Sequence, residues 1–111
     1  MESNLVINIV ATRCQPEVEA KFNKWYDEIH IPLLFKFPGM TRVTRYKTLR
    51  ETEEESTYLA IYEFKDRKAL AEYEKSPELI AGRAEMKETW QDKGFEITWR
   101  MQFGAIKTWE R

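Results

Sequence analysis

The chain has 111 residues, 18 basic side chains against 19 acidic ones, and a pI near 5.9. One domain of this length buries enough surface to fold without staples. The balanced, scattered charge argues against nucleic-acid or anionic-membrane partners. A single cysteine, Cys14, excludes an intrachain disulfide, and with a single histidine it cannot make a linked Cys/His metal set.

No apolar run approaches the roughly 20 residues of a membrane span, and "MESNLVINIV" lacks the layout of a signal peptide. A cytoplasmic protein is the expectation. "NLVINIVAT" (4–12) is short, β-branched and reads as a strand. Pro16 suits the first turn of a helix. From there Val18, Phe22, Trp25 and Ile29 recur at helical spacing, and Pro32 is expected to end that helix at Ile31. "LLFKF" can add a turn before the tight turn at Pro38-Gly39.

"MTRVTRYKTL" (40–49) reads as the second strand, "RETEEES" (50–56) as an exposed hairpin loop, and "TYLAIYEF" (57–64) as the third strand. Asp66 is placed to cap a helix over "RKALAEYEKS", and Ser76-Pro77 to start another, with Leu79, Met86 and Trp90 on one side. Gly94 is expected as its left-handed cap. "FEITWRMQFGAI" (95–106) alternates strictly and reads as the last strand. The order β-α-β-β-α-β is an α+β, ferredoxin-like arrangement over residues 1–111. It has a four-stranded antiparallel sheet with its helices on one face.

Parity divides the sheet into two faces. The apolar row Phe95, Ile97, Trp99, Met101 and Phe103, with Leu5, Ile7 and Ile9, is expected to face the helices. The other face then carries Val6, Asn8, Val10, Thr98, Arg100, Gln102, Tyr58, Ala60, Tyr62 and Phe64. That mixed lining suits a covered cavity, and a second copy of the sheet is its simplest cover. A homodimer enclosing a small-molecule ligand is therefore expected.

The lone histidine stands in "KWYDEIHIP". Tyr26 and His30 are four apart on one flank of the helix, and Asp27 precedes His30 by one turn, near enough to orient an imidazole. Such a group can act as a general acid or base near neutral pH. The same residues also suit a plain helix end, with His30 offsetting the dipole and Trp25 and Tyr26 as core edge. Arg42, Arg45 and Arg100 are candidates to receive an anionic substrate, and Arg42 and Tyr46 share a strand face.

Across "FNKWYDEIHIPLLFKFPGMTRVTRYK" the sequence resembles the EthD-like branch of the dimeric α/β-barrel superfamily. Trp25, Tyr26, His30, Pro32, Pro38, Gly39, Arg45 and Tyr46 carry the resemblance. It implies two ferredoxin-like subunits packed sheet to sheet, each with a pocket between its sheet and helices. Similar folds include lactone isomerases, polyketide cyclases, cofactor-free monooxygenases and haem-degrading enzymes. By resemblance His30 is the proton-transfer residue, with Trp25 and Tyr26 lining the site; one histidine speaks against a haem-degrading site. The expectation is a cofactor-independent enzyme with His30 and Asp27 as catalytic residues and Trp25, Tyr26, Arg42 and Tyr46 as substrate-binding ones. The alternative is a non-catalytic small-molecule binding protein of the same fold.

Overall fold

A computed structural model describes residues 5–50 and 58–111. Its elements are β1 (Val6–Cys14), a short 3-10 turn (Pro16–Val18), α1 (Glu19–Trp25), a π-helical turn (Tyr26–His30) and α2 (Ile31–Leu34). Then come β2 (Met40–Lys47), β3 (Tyr58–Phe64), α3 (Arg67–Tyr73), α4 (Pro77–Trp90) and β4 (Phe95–Gly104). The expected hairpin loop falls almost wholly outside the described residues.

The sheet runs β2-β3-β1-β4, with every neighbouring pair antiparallel. This is the ferredoxin-like α+β fold. Asp66 caps α3 by accepting from the Ala69 N–H at 2.8 Å, and Ser76 caps α4 by accepting from Leu79 at 3.1 Å. Without those acceptors the first-turn N–H groups would go unpaired. Helix α4 ends one turn earlier than expected: Gln91 (φ 49°) takes the left-handed position, and Gly94 (φ 101°) serves the turn into β4.

The helices cover the face expected to lie under a second sheet. Phe22 of α1 packs on Tyr58, Tyr73 of α3 on Phe64, and Trp90 of α4 on Phe95. Val6, Val10, Tyr58, Ala60, Tyr62 and Phe64 are buried there. Most of the apolar row assigned to this side points the other way. The cause is a bulge: Thr12 faces Ile97 while Ala11 faces Trp99, so Thr98 is an extra residue in β4. Phe95 and Ile97 stay inside, but beyond Thr98 the parity flips. Arg100 and Gln102 turn toward the helices, opposite Val10 and Asn8. Trp99, Met101 and Phe103 turn out, 43%, 52% and 46% exposed, beside Ile7 and Ile9.

Candidate functional site

Pro32 does not stop the helix at Ile31; the chain stays helical to Leu34. Proline has no N–H to donate, and its ring would strike the carbonyl four residues back. The helix absorbs this by widening for one turn. The Ile31 N–H reaches back five residues, to the Tyr26 carbonyl. The wider turn shifts the phase of the apolar stripe. Ile29, expected in the core, is 47% exposed, whereas Tyr26 and His30 are buried.

His30 is thereby driven into the helix–sheet interface, 8% exposed. Trp25 stacks on its imidazole at 4.6 Å and 21°, and Tyr26 meets it edge-on at 5.1 Å. Helix α4 crosses close by because Gly82 has no side chain. A Cβ there would lie 2.5 Å from Leu34 Cδ2 and 4.0 Å from His30 Cε1. The Nδ1 of His30 is buried without a hydrogen-bond partner among the described residues. Burial lowers the imidazole pKa from 6.5 to about 4, with the Glu85 carboxylate pulling it upward. His30 is therefore neutral at pH 7.

Glu85, not Asp27, is the acid associated with this ring. It accepts from Trp25 Nε1 at 2.8 Å, and its other oxygen accepts from the Thr89 hydroxyl. Asp27 points the other way, to Arg45 Nη1 at 2.8 Å, while Arg45 Nη2 donates to Asn23 at 2.8 Å. The guanidinium of Arg45 also lies 4.6 Å over the Tyr26 ring. Arg45 thus ties β2 to α1 from the covered face. Arg42 and Tyr46, expected as substrate contacts, stand on the outer face, opposite Glu63 and Leu59. Arg42 lies 3.9 Å from Glu63. The bulge between Met40 and Arg42 puts them there.

A cavity of about 400 Å³ opens between β1, β3 and β4 and the helices, within the usual range for small-molecule sites. His30, Tyr26, Tyr62 and Tyr73 supply its aromatic wall; Asn8, Gln102, Arg83 and Arg100 bring polar groups. The Tyr62 hydroxyl donates to that of Tyr26 at 3.4 Å. Burial raises the pKa of Tyr26, Tyr62 and Tyr73, so all three remain protonated donors at neutral pH.

The structure thus places His30 and Tyr26 in the pocket wall, keeps Trp25 behind His30 rather than in the lining, and leaves Asp27, Arg42 and Tyr46 outside it. Sequence reasoning missed Glu85 and Arg83. Arg83 had a faint signal, lying four residues after Leu79 and three before Met86, on the edge of the apolar stripe of α4. Among the described residues no three His, Cys, Asp or Glu side chains gather as metal ligands, and no helix is long and apolar enough to cross a membrane.

Fold and pocket define a ferredoxin-like α+β protein with a partly polar chamber under its helices. Known structures agree on the fold. An ethyl tert-butyl ether d (EthD) family protein from Bacillus halodurans C-125 is 18% identical with a TM-score of 0.68, over 96% of this chain and 100% of its own. SnoaB from Streptomyces nogalater, a cofactor-independent oxygenase, is 18% identical with a TM-score of 0.59, over 94% and 93%. A dimeric ferredoxin-like protein of unknown function from Thermobifida fusca is 12% identical with a TM-score of 0.65, over 93% and 92%. The resemblance to EthD-like proteins therefore holds at the level of the fold. The chain belongs to the family described as a domain of unknown function, DUF4286, whose model matches residues 5–103. No curated protein matches it.

Proposed function

We propose that this protein is a homodimeric, cofactor-independent enzyme of the cytoplasm. It moves a proton on a small aromatic or lactone-like substrate, as an isomerase, a cyclase or a cofactor-free monooxygenase. The observation that carries this reading is a buried, neutral imidazole in the wall of a 400 Å³ chamber lined by tyrosine hydroxyls, amides, two arginines and apolar side chains. His30 is the general acid–base, held flat by Trp25 and tuned by Glu85, while Asp27, expected to orient the imidazole, pairs with Arg45 instead. A base this weak takes a proton only from an acidic group, such as an enol, a phenol or a carbon between carbonyls. SnoaB, an oxygenase without cofactor, supports this class of chemistry on this fold.

The dimer rests on the outer face of the sheet. Trp99, Met101 and Phe103 with Ile7 and Ile9 form an uncovered apolar band of the kind that marks an interface. The Thermobifida fusca neighbour is described as dimeric.

Turnover of a panel of lactones and hydroxylated aromatic ketones tests the enzyme reading. His30→Gln should lower it by about 100-fold or more; unchanged turnover by a folded His30→Gln dimer refutes the role. The low basicity of His30 favours one second reading, a binding protein that takes up the same molecules without changing them. Ligand-induced thermal stabilisation with no turnover across the panel would select it.

A further inference from the structure

We propose that Arg83 and Arg100, together with Tyr73, form an anion subsite in the pocket, and that its occupant is an aromatic or lactone-like compound bearing a carboxylate. The inference rests on the pocket reading above and narrows its substrate class.

The bulge at Thr98 is the first observation. A strand serving only the core would carry the Phe95–Ile97 row onward with Trp99, Met101 and Phe103 inside. The extra residue instead sends those three out and turns Arg100 and Gln102 toward the helices. Bulges that re-aim side chains are concentrated beside functional sites. Arg100 consequently sits opposite Val10 on the helix side of the sheet, where it lines the chamber and remains exposed.

Convergence is the second. Arg83 reaches the same chamber from α4, directly after the Gly82 close approach, and Tyr73 reaches it from α3. The charges of both arginines act on the Tyr73 hydroxyl, and that of Arg100 also acts on Tyr26. Three elements thus direct donors to one region. Among the described residues neither arginine makes an ion pair, unlike Arg13, Arg42 and Arg45. Among the described residues Glu74 is the one carboxylate lining the chamber, against Arg83 and Arg100; all three are exposed, and the two arginines leave the lining with a surplus of positive charge. Arginine pairs bind carboxylates through parallel N–H donors, and a tyrosine hydroxyl kept protonated adds a third contact. An acid bound here also lies close to Tyr26, which touches His30. Its charge would favour the protonated imidazole and bring that ring nearer to working range.

The test compares 2-naphthoate with its neutral isostere 2-naphthamide on the full chain. Calorimetry measures affinity, and the ring signals of the sole histidine report where each binds and how His30 titrates. The acid should bind about tenfold or more tighter than the amide, with that margin shrinking in high salt, and should raise the pKa of His30. Arg83→Gln and Arg100→Gln should each erase most of the margin, and Glu74→Gln should widen it. Equal affinity of acid and amide, both shifting His30, overturns the anion subsite and leaves the pocket reading standing. A preference for the acid that survives the double arginine variant, or no binding of either probe, also overturns it. In the last case the pocket reading is judged separately by turnover of the lactone and ketone panel.

Discussion

The two faces of this sheet both carry many apolar residues and are used in opposite ways. The covered face buries Val6, Val10, Tyr58, Tyr62 and Phe64, yet it interrupts that core with Asn8, Arg100 and Gln102 around a chamber. The outer face is the more uniformly apolar along its β1–β4 half, with Ile7, Ile9, Trp99, Met101 and Phe103, and among the described residues nothing covers that band. A core that exists for stability tends toward density and dryness. Here the apolar band of β1 and β4 is the one turned outward, and polar groups line the chamber on the helix side. The covered side is organised around something to be bound, and the outer side around something to be met.

The largest effect that would break this comparison lies on the outer face. In a two-fold assembly each substitution occurs twice. Trp99→Glu, or Phe103→Glu, should therefore weaken self-association by roughly 3–6 kcal/mol, the loss of two buried aromatic side chains. Sedimentation should show monomers at concentrations where the parent is dimeric, with near-ultraviolet dichroism of the core aromatics retained. A parent that is monomeric at high concentration removes the outer face's half of the contrast.

The covered face can be probed by acid. Between pH 6.5 and about 4 the unfolded chain binds a proton at His30 that the folded chain refuses. The unfolded state is therefore favoured as pH falls through that window, and this contribution to instability is complete below about 4. Its full size is about 3 kcal/mol. His30→Gln should be flatter by that amount than the parent in urea denaturation measured across the window. Comparison with the parent cancels the carboxylates, Glu19 among them, whose pKa is lowered by the Tyr58 hydroxyl and whose titration adds an acid slope of its own. Parallel slopes for the two proteins would mean that the ring is reached by water, and the chamber would lose its protected imidazole.

Much of this architecture was legible in the sequence because it is local. Periodicity and punctuation gave the element order, the caps at Asp66 and Ser76, and the alternation that groups Asn8 with Arg100 and Gln102. Which face the helices choose was not legible. Parity sorts residues into two sets without saying which is covered, and the extra residue at Thr98 exchanges the sets midway along β4. The π-helical turn did the same within the first helix, trading Ile29 for Tyr26 and His30. Both are one-residue shifts of register; the first has no residue-type signature of its own, and the second is announced only by Pro32, which reads equally as a helix stop. The site suffered most from distance along the chain. Trp25 and Glu85 are 60 residues apart, and nothing in either neighbourhood announces the other.

The smallest effect separates the two carboxylates that could have governed His30. Asp27 is its neighbour in sequence but is half given to solvent and bonded to Arg45; Glu85 is remote in sequence but bonded to the indole that stacks on the imidazole. Asp27→Asn removes one partly exposed ion pair, and should lower stability by no more than about 1 kcal/mol. It should leave the His30 titration where it was. Glu85→Gln keeps an oxygen for Trp25 Nε1 while deleting the charge that favours the imidazolium, so the His30 pKa should fall below its already depressed value. With one histidine in the chain, a single ring signal followed against pH decides the matter without assignment. A fall in the Asp27 variant with none in the Glu85 variant would return His30 to control by its own helix, and the covered face would then be held by local contacts alone.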